Sequence, residues 1–137
     1  MSPQKIIDEF EHKTSKLNAR LKNIKAAQKN GFTTRLCFDP IIYCQNYEAE
    51  YSALVEKTLE SIDINAVQDI SIGSFRISQS YLKNMRARDY KSKIVNFPFE
   101  NVDGIYQYPR DLQNEMEQFL VNKLSNHFDK EKIFLWK

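Results

Sequence analysis

The most constraining part of the sequence is residues 31–42, which read Gly-Phe-Thr-Thr-Arg-Leu-Cys-Phe-Asp-Pro-Ile-Ile. Leu36 and Phe38 alternate with polar residues, which is the period of two that a β-strand gives to its side chains. Pro40 lacks the N–H group that a central strand must donate, so the strand should end near Asp39. If the strand is parallel, Asp39 lies at the end of the sheet that normally carries an active site in α/β folds. The alternative is that Asp39 caps the following turn.

Length and charge bound the class of protein. The chain has 137 residues, of which 42% are hydrophobic and 28% are charged. This is enough for one domain with a core and too few for two, so we predict a single domain over residues 1–137. The net charge of +2 is nearly balanced, so any nucleic-acid surface must be local. No apolar run approaches the roughly 20 residues of a membrane span, and we expect a cytoplasmic protein with no membrane partner.

The two cysteines, Cys37 and Cys44, are predicted to be free thiols. A disulfide is not expected in a reducing compartment. Two thiols without further ligands nearby do not make a zinc site, so we predict no metal site in this chain.

Hydrophobic periodicity predicts helices that separate the strands. Such an order favours right-handed crossovers and a mainly parallel sheet, so the predicted fold class is α/β. Two helices open the chain with no strand before them, which indicates the last part of a larger barrel or doubly wound sheet.

The first predicted elements are a helix from Pro3, a helix capped by Thr14 or Ser15 and ending near Asn30, and the strand ending near Asp39. They are followed by a helix capped by Asn46, a strand over 67–76 and a helix capped by Ser78. The last predicted elements are a hairpin of 94–99 and 105–108, a helix over 109–127 and a strand over 132–136.

The predicted strand over residues 67–76 has small residues on one face. Ile70 and Ile72 alternate there with Ser71 and Gly73. A strand face of small residues leaves room for a neighbouring backbone, which is the commoner case, or for a ligand.

Basic residues gather at the end of the helix that Ser78 begins. Cations in the last turn of a helix interact favourably with its dipole, and they can also contact phosphates. A nearby aromatic patch is of the kind that stacks on bases, although a tyrosine edge strand is also an ordinary way to cover a core. The candidate nucleic-acid residues are Arg86, Arg88, Lys91, Lys93, Tyr106, Tyr108 and Arg110.

Three segments carry a resemblance to a known family. They are Ser2-Pro3-Gln4-Lys5-Ile6-Ile7, Phe38-Asp39-Pro40-Ile41-Ile42 and Ser71-Ile72-Gly73-Ser74-Phe75-Arg76. Together they resemble the carboxyl-terminal half of the spore photoproduct lyase family, whose members are radical S-adenosylmethionine (SAM) proteins often described as DNA repair photolyases. The resemblance covers nearly the whole chain.

The resemblance implies a fold, two cofactors and a role for Asp39. In this family a partial (β/α) barrel holds a 4Fe–4S cluster on a Cys-x3-Cys-x2-Cys loop, and SAM cleavage starts the reversal of a thymine-dimer lesion. This chain would be the carboxyl-terminal part of such a barrel, with a small hairpin cap and with Asp39 near the SAM adenine. It lacks the loop, and two thiols cannot supply three thiolates. We therefore expect no catalytic residue and no bound cofactor in the chain alone.

Three interpretations of function remain. The chain completes an amino-terminal radical SAM partner, or it is a small module that binds DNA without chemistry, or it is a protein-interaction module. In the first case the opening helices have no preceding strand to cover, and we expect the isolated chain to self-associate through them. The apolar residues concerned are Ile6, Ile7, Phe10, Leu17 and Leu21.

Overall fold

The computed structural model describes residues 1–136. The elements are α1 (Gln4–Glu9), α2 (Leu17–Lys29), β1 (Thr34–Ile41), α3 (Tyr47–Ser61), β2 (Val67–Ser74), β3 (Arg76–Ser78), α4 (Gln79–Arg88), β4 (Glu100–Val102), β5 (Ile105–Gln107), α5 (Arg110–Ser125) and β6 (Ile133–Leu135). Within the described residues, no helix has both the length and the apolar character needed to cross a bilayer.

The main sheet contains β1, β2 and β6 in that order, and all of its strands are parallel. Phe38 of β1 pairs with Ile72 of β2, and Ile70 of β2 pairs with Ile133 of β6. Helices separate these strands along the chain, which confirms the predicted α/β class. Over residues 1–136 the sheet stays open and does not close a barrel.

Helices cover only one face of the main sheet. Leu36, Phe38, Ile70 and Ile72 are at most 1% exposed and lie in one core cluster with residues of α2, α3 and α5. The predicted alternation in β1 is therefore confirmed. On the opposite face the Arg35 side chain is 68% exposed and the Cys37 thiol is also exposed. We call this opposite side of β1 and β2 the uncovered face.

A second, antiparallel sheet contains β3, β5 and β4 in that order. Asp103 and Gly104 both have positive φ angles, 53° and 85°, which confirms the predicted turn between β4 and β5. The predicted first arm over 94–99 is wrong, because the strand begins at Glu100. Ile94 and Val95 are buried in a turn segment instead of a strand.

Several element boundaries differ from the prediction. β1 runs two residues past Asp39 to Ile41. Pro40 is tolerated because the pairing with β2 is irregular between Phe38 and Ile41, so no regular ladder bond is lost there. The N-cap of α2 is Lys16 instead of Thr14 or Ser15.

The opening helices are covered by the chain itself, which corrects the expectation of a bare apolar edge. Ile6, Ile7, Leu17 and Leu21 are at most 3% exposed. Phe10 contacts the ring of Phe75 edge-on, with 5.8 Å between ring centroids, so α1 lies against the segment that follows β2. The large exposed apolar side chains are found elsewhere, at Phe32, Tyr81, Tyr90, Val102, Ile105, Phe134, Leu135 and Trp136.

Candidate functional site

Asp39 and Gly73 meet on the uncovered face, near the carboxyl ends of β1 and β2. A Cβ atom added to Gly73 would lie 2.8 Å from Cγ of Asp39 and 2.9 Å from its Oδ2 atom. Carbon atoms do not approach side chains this closely, so position 73 must lack a side chain for Asp39 to take its place. The space beside Gly73 is therefore filled by the side chain of Asp39 from the neighbouring strand. The two predicted occupants of this space were a neighbouring backbone and a ligand.

Arg76 completes this group. Its Nη1 and Nη2 atoms lie 3.4 Å and 3.2 Å from the two carboxylate oxygens of Asp39, and Nη1 also donates to the carbonyl of Ser74 at 2.8 Å. The guanidinium carbon lies 5.2 Å from the ring centroid of Trp136. Asp39 thus pairs with Arg76 instead of capping the next turn. We call Asp39, Gly73 and Arg76 the rim group.

Arg76 is a site residue that the sequence prediction missed. The sequence feature that contains Arg76 is the segment ending Gly73-Ser74-Phe75-Arg76, on which part of the family resemblance depends. The Arg76 side chain is 39% exposed and the Asp39 side chain is 15% exposed. The rim group therefore presents a fixed guanidinium to solvent at the end of the sheet where α/β folds bind ligands.

A second ion pair lies further along the uncovered face. Arg35 Nε is 3.2 Å from Asp69 Oδ2, and these residues face each other across β1 and β2. Together with Cys37 and Ser71 they give the uncovered face a polar surface. Parallel sheets normally have both faces covered, so the polar uncovered face of this parallel sheet is a candidate surface for a ligand or for another part of a protein.

The thiols do not fit a 4Fe–4S cluster. Cys37 is exposed on the uncovered face, whereas Cys44 is buried and burial raises the pKa of its thiol. Within residues 1–136, no three His, Cys, Asp or Glu side chains are close enough together to hold a metal ion. Because a cluster of this kind needs three thiolates from one loop, the donors of this chain are insufficient.

Tyr108 is not available for base stacking, which corrects its prediction as a nucleic-acid residue. It is 0% exposed, and its hydroxyl accepts a hydrogen bond of 2.8 Å from the backbone N–H of Tyr43. Its ring lies 5.0 Å from the Phe97 ring and 5.2 Å from the Phe99 ring. Burial raises the pKa of this phenol. Tyr108 therefore belongs to the core.

A second buried tyrosine, Tyr51 of α3, plays a similar part. Tyr51 is 1% exposed and its hydroxyl accepts from the backbone N–H of Ile42 at 2.8 Å. Two successive N–H groups after β1 are thus satisfied by phenol oxygens. The path of the chain beyond the rim group is fixed by these two bonds.

The remaining predicted nucleic-acid residues fall into two groups. Arg86 is committed to structure, because Nε donates to the carbonyl of Val95 at 2.7 Å and Nη2 donates to that of Phe97 at 3.0 Å. The side chains that face solvent are Arg88, Lys91, Lys93 and Arg110, with Tyr106 half-buried. Tyr81 and Tyr90, at 69% and 74% exposure, are exposed aromatic residues near this basic segment that the prediction overlooked.

Replacing Arg86 by alanine is expected to destabilise the chain by about 1–3 kcal/mol, because two partly buried carbonyl groups would lose a charged donor. The matched control is Arg88→Ala, which removes an exposed cation two residues later and should change the free energy of unfolding by about 0.5 kcal/mol or less. Urea unfolding of both variants checks this expectation. Equal effects of the two replacements would contradict the structural assignment of Arg86.

The fold and the rim group define a class, namely an α/β protein with a parallel sheet that is open to one side and carries its polar residues at the carboxyl end of the strands. A family model described as spore photoproduct lyase matches residues 1–136. The chain belongs to the spore photoproduct lyase family.

Individual relatives agree with this assignment. The spore photoproduct lyase of Clostridium acetobutylicum is 24% identical over 141 residues, which cover 94% of this chain and 40% of the relative. A solved spore photoproduct lyase complexed with dinucleoside spore photoproduct shares the fold at a TM-score of 0.77 and 18% identity, covering 98% of this chain and 42% of that one. A cysteine-to-alanine mutant of spore photoproduct lyase matches at a TM-score of 0.80 and 17% identity, with the same coverage. The chain thus spans less than half the length of these relatives.

Proposed function

We propose that this chain supplies the carboxyl-terminal region of a radical SAM spore photoproduct lyase and is not catalytic alone. The observation that carries the proposal is the uncovered face, on which Asp39 and Arg76 pair near the carboxyl ends of β1 and β2, on the side that the helices leave open. Its two cysteines are too few for the cluster, so the chemistry that generates a radical would come from another region.

The role of the uncovered face in this proposal is to form one wall of the SAM site. The Asp39 carboxylate is an acceptor and the Arg76 guanidinium a donor, and nucleosides present both kinds of partner. The backbone around Asp39 would lie beside the adenine. Because Gly73, Ser74 and Trp136 restrain the two charged side chains, the wall would be formed before a ligand arrives.

The proposed substrate of the complete protein is a thymine-dimer lesion in DNA. A solved relative carries bound AdoMet together with dinucleoside spore photoproduct, and its fold matches this chain at a TM-score of 0.76. In this proposal the chain would contribute the carboxyl end of its parallel sheet and the hairpin of β4 and β5.

The test is reconstitution with the amino-terminal, cluster-bearing region from the same source. We expect the two parts to elute together in gel filtration and to convert dinucleoside spore photoproduct when SAM and a reductant are present, whereas either part alone is inactive. Cys37→Glu, which puts a charge on the uncovered face, should abolish co-elution. Lys22→Glu, on the exposed side of α2, is the matched control and should not. Separate elution of the wild-type parts would contradict the proposal.

A second candidate function is the binding of nucleic acid without chemistry. The observation that favours it is the exposure of Arg88, Lys91 and Lys93 beside the exposed ring of Tyr90. The same surface could also serve the first proposed function, since a lesion lies in a DNA strand.

A further inference from the structure

A cleft of about 870 Å³ lies between α1, the residues that follow β1 and the segment of residues 89–98. None of the residues that line it belongs to the rim group. Its volume is within the range of sites that bury small ligands, about 300–1,000 Å³, and is far too small for a duplex. We call it the α1 cleft.

One wall of the α1 cleft is an irregular segment held in a single shape. The Asn96 amide donates to the carbonyls of Ser92 and Tyr90 at 2.7 Å and 3.1 Å. Arg86 holds the carbonyls of Val95 and Phe97 from the other side. A segment with this many internal bonds presents its side chains in fixed positions, which lowers the entropy lost on binding.

The α1 cleft has more cationic than anionic side chains. Those that are charged at neutral pH are three lysines and two carboxylates, namely Lys5, Lys91, Lys93, Glu9 and Asp89. Lys91 and Lys93 are both exposed, so their ammonium groups are free to meet an anion that enters from solvent. Lysine ammonium groups bind phosphates as point charges.

Aromatic rings lie among these cations. Tyr90 is 74% exposed, and the ammonium group of Lys91 is 5.7 Å from its ring centroid. The half-buried rings of Tyr43 and Phe97 also line the cleft, with 5.6 Å between their centroids. Rings interleaved with cations bind single strands, because unpaired bases stack on the rings while phosphates meet the cations.

We propose that the α1 cleft binds a short unpaired nucleic-acid segment, with phosphates at Lys91 and Lys93 and a base on the ring of Tyr90. The site is concave, so it admits a strand whose bases are unstacked and excludes a duplex. This inference rests on the proposed function, since the segment would flank the lesion. It replaces the predicted stacking residue Tyr108 with Tyr90 and adds Lys5, from the opposite wall, to the predicted basic residues.

The test is the affinity of the isolated chain for a thymine-rich single strand, measured by fluorescence anisotropy between about 50 and 200 mM salt. Lys91→Ala with Lys93→Ala should lower the slope of log affinity against log salt by about 1.4, since each phosphate contact on a single strand contributes about 0.7. Tyr90→Ala should weaken binding about 5- to 150-fold and leave the slope unchanged, and Tyr90→Phe should restore binding.

The matched controls are Lys83→Ala and Tyr81→Ala, which remove an exposed cation and an exposed ring on α4 outside the cleft. Neither should change affinity or slope by more than the error of measurement. The proposal would be overturned if these controls had effects equal to those of the cleft variants. It would also be overturned if a duplex bound as tightly as the single strand, or if the wild-type chain bound no single strand at about 50 mM salt.

Failure of this inference is distinguishable from failure of the proposed function. In the proposed function, co-elution with the amino-terminal region depends on the uncovered face, which the cleft variants leave intact. Wild-type protein that co-elutes but retains no single strand overturns only the α1 cleft. Protein that binds the strand through Tyr90 but does not co-elute supports the cleft and overturns the role as part of a lyase.

Discussion

Replacement of Tyr108 by alanine should lower the free energy of unfolding by about 3–5 kcal/mol, which is the cost of removing a fully buried aromatic side chain. The ring fills a cluster with Phe97 and Phe99, and the hydroxyl satisfies the backbone N–H of Tyr43. Tyr108→Phe keeps the ring and should cost about 1–3 kcal/mol, because the partly buried N–H group of Tyr43 would lose its acceptor. Urea unfolding monitored by circular dichroism measures both changes.

Tyr106→Ala is the matched control for Tyr108→Ala. It removes the same side chain two residues earlier, where the tyrosine is half-buried in β5, and its cost should be clearly smaller. The original interpretation of Tyr108 as a stacking residue makes the opposite prediction, namely unchanged stability with weaker binding of single strands. That result would show that the ring is not in the core.

The error at Tyr108 has a physical cause that the sequence does not display. A period of two places Tyr106 and Tyr108 on one face only while the strand continues, and β5 ends at Gln107. Arg86 shows a similar limit, because the carbonyls that it holds are nine and eleven residues further along the chain. β3 was missed because the residue that pairs with Ile77 is Tyr106, which lies far away in sequence.

Local patterns predicted the parts of the fold that depend on local chemistry. The alternation of Leu36 and Phe38 gave the orientation of β1, and the Asp103-Gly104 pair gave the turn of the hairpin. The carboxylate of the candidate site was also predicted, since Asp39 follows the apolar alternation. Its partners were not, because Gly73 and Arg76 reach it through the parallel register that pairs Phe38 with Ile72.

A side chain at position 73 should have the largest effect on the rim group. Gly73→Ala would put a carbon atom 2.8 Å from Cγ of Asp39, so the carboxylate must move and its bonds to Arg76 break. We expect a loss of about 1 kcal/mol of stability, because the carboxylate that must move is the end of a short side chain next to solvent, and loss of co-elution with the amino-terminal region. Ser71→Ala, on the same face of β2, is the matched control and should change stability by about 0.5 kcal/mol or less.

A double-mutant cycle shows whether the clash with Asp39 is the cause. Asp39→Ala alone should cost about 1 kcal/mol or less, because Arg76 is partly exposed and solvent screens the ion pair. In the Asp39→Ala background the added methyl group of Gly73→Ala has room, so its cost should fall to near zero. The expected coupling between the two positions is therefore about 1 kcal/mol. Additive costs would mean that position 73 needs glycine for a reason other than the carboxylate, and the rim group would then lose its structural basis.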